Sequence, residues 1–341
     1  MADTSIPART GAAVRRAARS RPVLAVVVLL LVAAGLAGWR LSAAGSPRQA
    51  PREVGFATGV PGGVYDLYGQ LLRGQLLDAV PGTRLRLDNS EGSVDNLERV
   101  VAGRDDFAIS TADAVTSFDN PGKPRLRAIA RLYDDYLQLV VPAGSPVQKV
   151  ADLRGLRVGV GQAKSGVNLV TRRLLGAAGL DPDHDIAPVG AGVVDAAGLL
   201  QSGQLDAFFW SGGLPTSALT NLSTRFPIRI VPLAELAEPL QRQEGGGAAA
   251  YRAATIPANT YPGIRPAGST VATVAVPNLL VTRDDVDPGL VQAVTRAVID
   301  SRDTIGAKVH AAQLVDLRTA VYTDPLPLHE GARRYYTSVK P

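Results

Sequence analysis

The chain has 341 residues, 46% hydrophobic, 20% charged and 5% aromatic, with no cysteine. That balance excludes a disordered polymer and a polytopic membrane protein, and it fits one or two globular domains held by packing without disulfides. The formal charge of +5 is unevenly placed: residues before Glu53 carry eight arginines against Asp3 alone, a net of +7, which leaves the remainder at −2. A mildly acidic body has no basic footprint for a phosphate backbone, so nucleic acid is excluded as a partner.

Residues 1–22 form a basic arm, and an unbroken apolar run follows from Val23 to Trp39. Arginines on its N-terminal side place the arm in the cytoplasm. Residues 23–41 are read as a transmembrane anchor or a signal h-region, since the run is long for an h-region and short for a full span. Ser42-Ala43-Ala44 offers a cleavage site, whereas Trp39 and Arg40 fit an interfacial anchor. Residues 42–52, rich in Ala, Ser, Pro and Arg, read as a flexible tether, and an extracytoplasmic folded part begins near Glu53.

From there short apolar runs alternate with helical periodicity, which predicts α/β units with largely parallel sheets. Val54–Ala57 reads as a strand, and Tyr65, Tyr68, Leu71, Leu72 and Leu76 recur at helical spacing. Leu85–Leu87 is a second strand, Val94–Ala102 a helix and Phe107–Ile109 a third strand. Arg127–Arg131 and Leu137–Val141 read as two more strands, with Asp134-Asp135 an ordinary polar turn between them. The pattern then restarts: a strand to Val160, a helix from Leu169 to Ala178 with Gly179 as its C-cap, a strand at Ile186–Val189, a helix through Ala196–Leu200, and a strand at Leu205–Trp210. Glu244–Ala250 reads as a mobile surface loop, Thr273–Thr282 as a strand returning to the first half, and Pro288–Ser301 and Ala307–Leu317 as closing helices. The expected fold is therefore a two-lobed α/β clamshell with a cleft, lobe I comprising 53–141 with 275–341 and lobe II 142–274.

Two glycine-rich turns each join an apolar run to a helix: Thr58-Gly59-Val60-Pro61-Gly62-Gly63-Val64-Tyr65 and Gly161-Gln162-Ala163-Lys164-Ser165-Gly166-Val167. Such a turn leaves the first N–H groups of its helix unpaired at the positive end of the helix dipole, which favours a negative ligand. The first loop lacks the Lys-Ser/Thr of a nucleotide-binding P-loop and the spacing of a dinucleotide fingerprint. Ser90 and Ser93 open the next helix, either as caps or as further donors into the cleft, and Thr111 ends the third strand with the same two options. Ser165 lacks a nucleophile elbow and sits in no triad context, so no enzyme is expected. Trp210-Ser211-Gly212-Gly213-Leu214-Pro215 reads as a cleft wall beside bare backbone. Tyr133 is a further candidate contact, and Lys164 and Arg131 are candidate counter-charges. Asp181–Asp185 starts like a calcium loop but has Gly192 where the bidentate Glu belongs, so neither a metal nor a cofactor is expected.

With these segments in order, the chain resembles the TAXI family of solute receptors, the extracytoplasmic binding subunits of TRAP transporters. The elements are Thr58-Gly59-x-x-Gly62-Gly63-x-Tyr65, Ser90–Leu97, Leu153-Arg154-Gly155-x-Arg157-Val158, Gly203–Ala207 through Gly212-Gly213-x-Pro215, and Ile256–Gly263. The resemblance implies a type II periplasmic-binding-protein fold, no catalysis, ligands such as glutamate, glutamine or a 2-oxo dicarboxylate, and delivery to a TRAP permease. The family often has Thr at Val64 and a Gly-Ser-Gly-Thr loop at Lys164–Val167, so hydroxyls expected around the ligand are absent here. The alternative is an exported sensing module that signals to a membrane partner without transport.

Overall fold

A computed structural model describes residues 52–243 and 250–339, together with Val26, which is helical and exposed. The chain divides after Pro51, and the fold belongs to the second unit, Arg52–Pro341. The basic arm, the rest of the expected anchor, the tether up to Pro51 and the loop residues 244–249 lie outside the described residues. Among the described residues no helix is long and apolar enough to cross a membrane.

The first half builds β1 (Arg52–Ala57), α1 (Val64–Ala79), β2 (Thr83–Asp88), α2 (Ser93–Val101), β3 (Phe107–Thr111), α3 (Ala112–Ser117) and the long β4 (Leu126–Pro142). The second adds β5 (Arg157–Gly159), α4 (Gly166–Ala177), β6 (Ala187–Val189), α5 (Val193–Gln201), β7 (Ala207–Gly212), α6 (Ser217–Arg225), β8 (Ile228–Val231), α7 (Ala237–Arg242) and β9 (Arg252–Ile256). A second long strand, β10 (Val271–Arg283), leads back to α8 (Pro288–Asp300), α9 (Arg302–Gly306) and α10 (Glu330–Val339).

One sheet runs β2-β1-β3-β10-β4-β7-β5-β6, with β8 on β4 and β9 on β10. Its flanks, β2-β1-β3 and β7-β5-β6, are parallel βαβ sets. Its centre is antiparallel, because β10 opposes β3 and β4, and β4 opposes β7. The largely parallel sheet expected from the alternation of elements thus holds for the flanks, while the two long strands carry the chain between them.

Those strands join two lobes. Leu137, Leu139, Val140, Val158, Leu174, Phe208, Val274 and Val276 belong to one core, and Phe56, Tyr68, Leu72, Ile109, Ile129, Tyr133, Leu280 and Val291 to another. The changeover falls inside β4 between Tyr133 and Leu137, and inside β10 between Val276 and Leu280. A smaller cluster with Leu97, Val115 and Leu279 completes the first lobe.

Two expectations change. Arg127–Arg131 and Leu137–Val141 are one strand, and Asp134-Asp135 is no turn: the two residues are 2% and 3% exposed in its middle. Each finds partners there, Asp134 from the Arg131 and Arg252 guanidiniums and Asp135 from Asn278 and Ser211, which removes the reason for the chain to leave the strand. The helix expected at Ala307–Leu317 is a 3-10 segment, His310–Leu314, after the short α9. Val309, Ala312 and Val315 are buried at a spacing of three, the period of that helix.

Candidate functional site

In a parallel βα unit the loop after each strand opens at one edge of the sheet, where its helix begins. Here the loops after β1, β2, β5 and β6 open towards a single cavity of about 50 Å³ between the lobes. Gly59, Val60, Gly63, Val64, Tyr65, Glu91, Gly92, Ser93 and Thr111 line it from the first lobe; Gly161, Gln162, Ser165, Gly166, Val167, Ala191, Gly192, Trp210, Ser211 and Gly212 line it from the second, and Asp135 lies between them.

The first loop is built to present backbone. Gly62 has φ +74°, and the Gly63 N–H closes a tight turn on the Val60 carbonyl at 3.0 Å. Gly63 then stands as N-cap of α1 without a side-chain cap. The N–H groups of Val64 and Tyr65 in the first turn consequently have no partner among the described residues. Behind the loop, the buried Asn96 amide donates to the Thr58 and Ile109 carbonyls, both at 2.7 Å, and ties α2 to the strand ends.

The second loop works differently. Ser165 caps α4: its hydroxyl accepts from the Asn168 N–H at 3.0 Å and donates to the Gln162 carbonyl at 2.6 Å. Its own N–H also goes to Gln162, at 3.0 Å. Ser165 is therefore spent on holding its turn, whereas the N–H groups of Gly166 and Val167 have no partner among the described residues. Their unsatisfied donors and those of α1 approach one space from opposite lobes and favour a negatively charged group between them.

The lobes are in contact around that space. The Val94 and Asp95 N–H groups, at the start of α2, donate across the cleft to the Lys164 carbonyl at 3.1 and 3.0 Å. The Lys164 N–H returns a bond to Glu91 Oε2 at 3.0 Å, and its ammonium meets Glu98 at 2.7 Å. A Cβ added to Gly166 would lie 2.8 Å from Ser93 Oγ.

A polar chain crosses the floor. Ser93 Oγ accepts from the Thr111 N–H at 3.2 Å and meets the Tyr65 hydroxyl at 3.2 Å. Tyr65 donates to Asn278 Oδ1 at 2.5 Å, Asn278 donates to Asp135 Oδ1 at 2.7 Å, and the Ser211 hydroxyl donates to Asp135 Oδ2 at 3.3 Å. Burial pushes the Asp135 carboxyl up to about 7, against the bonds from Asn278 and Ser211 that favour its charge, and with Asp134 and Asp113 adding repulsion. Burial likewise raises the Tyr65 phenol, helped by the Asp135 charge.

Of the residues singled out from sequence, Gly59, Gly63, Val64, Tyr65, Ser93, Thr111, Ser165, Gly166, Val167, Trp210 and Gly212 come together on the cavity wall. Trp210 is fixed there by its indole N–H, which donates to Thr216 Oγ1 at 2.9 Å. Thr58, Gly62, Ser90, Tyr133, Lys164, Gly213 and Pro215 are not on the wall. Thr58 and Ser90 brace the loops through Asp88 and the Gly92 N–H. Tyr133 is fully buried behind the wall, its ring centroid 5.7 Å from that of Tyr68 and its hydroxyl without a partner among the described residues. The two candidate counter-charges are engaged elsewhere, Lys164 with Glu98 and Arg131 with Asp134. Sequence reasoning missed Asp135, Gln162, Ser211 and Gly192. No local signal marks Asp135, because Asp is itself a turn former and the apolar runs on either side fit two strands as well as one.

Solved structures share this architecture. A protein from Bordetella bronchiseptica RB50 superposes with a TM-score of 0.50 at 20% identity, over 87% of this chain and 92% of that one. The periplasmic aliphatic sulphonate binding protein from Escherichia coli (TM-score 0.42, 14% identity, 85% and 84% covered) and a putative L-cystine ABC transporter protein from Listeria monocytogenes (0.47, 15%, 78% and 98%) are more distant. The fold is the two-lobed periplasmic-binding-protein type. A family model spans residues 56–338, from the end of β1 into α10, and the chain belongs to the NMT1-like family.

Proposed function

We propose that the chain is the extracytoplasmic receptor of a TRAP-type transporter, binding a small carboxylate in the interlobe cavity and handing it to a membrane permease. The observation that carries the reading is the pair of helix starts, Val64-Tyr65 and Gly166-Val167, whose N–H groups have no partner among the described residues and face one buried space from opposite lobes. A carboxylate there accepts from both lobes at once, so neither lobe alone satisfies it and binding favours closure. Charge-assisted bonds contribute about 1.5–3 kcal/mol each, and a micromolar complex requires about 8 kcal/mol net, so four or five such bonds suffice. The TRAP assignment rests on the resemblance of the glycine-rich and Ser90–Leu97 segments to TAXI receptors.

A thermal-shift panel of small carboxylates on the full chain tests the reading. A ligand at 100 times its dissociation constant stabilises by about 2.7 kcal/mol. No shift from any carboxylate would count against it. A multi-spanning permease encoded beside the chain supports delivery, while a histidine kinase there supports sensing instead.

A further inference from the structure

The cavity holds a feature that an anion site does not need. Asp135 lies on its lining, 3% exposed, and its two oxygens accept only from neutral donors, Asn278 and Ser211. The nearby cations are committed to other acids. Arg131 and Arg252 both pair with Asp134, which the strand's alternation places on the opposite face of β4, and Arg173 faces Asp113. Among the described residues no lysine or arginine pairs with Asp135. Gln162 adds a second electron-rich group, since its Oε1 is buried on the same lining without a partner among the described residues. A buried carboxylate without a counter-ion is costly, and an ordinary anion receptor gains nothing from one.

We propose that Asp135 is the cation subsite of the cleft, and that the solute is a small zwitterion whose protonated amine meets Asp135 while its carboxylate meets the N–H groups of α1 and α4. This rests on the receptor reading above and narrows it: a 2-oxo acid would turn a carbonyl oxygen, an acceptor, towards the Asp135 carboxylate, which when ionised has no proton to offer.

Calorimetric titration of the full chain at pH 8 with the standard L-amino acids, beside pyruvate, propionate, 2-oxoglutarate and glutarate, tests the assignment. At least one amino acid is expected to bind, with its 2-oxo and deaminated counterparts about 30-fold weaker or more. In Asp135→Asn that amino acid loses affinity by the same factor, while its 2-oxo counterpart does not, and the variant's thermal transition shows that it is folded. Two results overturn the cation subsite and leave the receptor reading standing: a 2-oxo or deaminated acid binding as tightly as the matched amino acid, or undiminished amino-acid binding in Asp135→Asn. Silence from every carboxylate, amino acids included, overturns both.

Discussion

Asp135 sets a pH dependence whose sign can be worked out. In the unfolded chain its carboxyl titrates near the ordinary 3.8, and in the empty fold it titrates at about 7. Between those values the native state holds a proton that the unfolded state has released, so stability falls as pH rises through the window and the loss is complete above it. About three units of difference correspond to roughly 4 kcal/mol. Besides burial, the groups that set this value are Asn278 of β10, Ser211 of β7, Asp134 of its own strand and Asp113 of α3. Asp135→Asn removes the titration and keeps an acceptor for Asn278 or Ser211. Urea unfolding of the ligand-free protein and of this variant, followed from pH 4.5 to 8.5, isolates the effect from all other titrations. The variant is expected to gain on the parent steadily with pH and to be about 2–4 kcal/mol the more stable above pH 7.5. Parallel curves would refute the reasoning, because they would mean that the Asp135 carboxyl is ionised in the empty cleft throughout.

Three further outcomes follow from the same geometry. Gly166→Ala places a methyl against Ser93 Oγ and Thr111 Oγ1 of the opposite lobe, at 2.8 and 3.3 Å, so ligand binding should be lost by calorimetry while the thermal transition of the empty protein is kept, alanine being a better helix former than glycine. Lys164→Ala removes an exposed ion pair with Glu98 but none of the main-chain bonds across the cleft; affinity should change less than about fivefold, in keeping with the 0.2–1 kcal/mol of such pairs, whereas a direct ligand contact would cost far more. Tyr133→Phe deletes a buried hydroxyl that has no partner among the described residues, and it should leave affinity unchanged and stability equal or higher by about 1 kcal/mol in urea unfolding.

The flanking βα units were legible because each repeats a local rule. Tyr68, Leu72 and Leu76 mark one face of α1, and glycines with positive φ close the turns. The lobes' parallel halves and the two loops that face each other follow from those local patterns. What the chain does at long range was not legible. No local signal says that Lys164 bonds to Glu91 and Glu98, more than sixty positions away, in place of a ligand. Nor does sequence show that Ser165 exhausts its hydroxyl and N–H on Gln162 and Asn168, or that Gly63 spends its N–H on Val60. The Asp134-Asp135 pair misled for a related reason: adjacent acids look solvated until Arg252, Asn278 and Ser211 arrive from β9, β10 and β7.

Those long-range contacts also divide the work of closure. The latch around Lys164 comprises two main-chain bonds, one bond from the Lys164 N–H to the Glu91 carboxylate and one exposed ion pair, and at about 1 kcal/mol for each bond it supplies roughly 3–4 kcal/mol. It uses the Val94 and Asp95 N–H groups of α2 and leaves those of α1 and α4 to the cavity. On the proposed assignment Asp135 opposes the latch whenever the cleft is empty above pH 7, because closing then buries a carboxylate with no cation beside it. A zwitterion removes that opposition and adds bonds of its own, so its differential affinity for the closed form exceeds that of a plain anion. A ligand shifts a two-state equilibrium only by such a differential, and the buried acid therefore couples occupancy to closure.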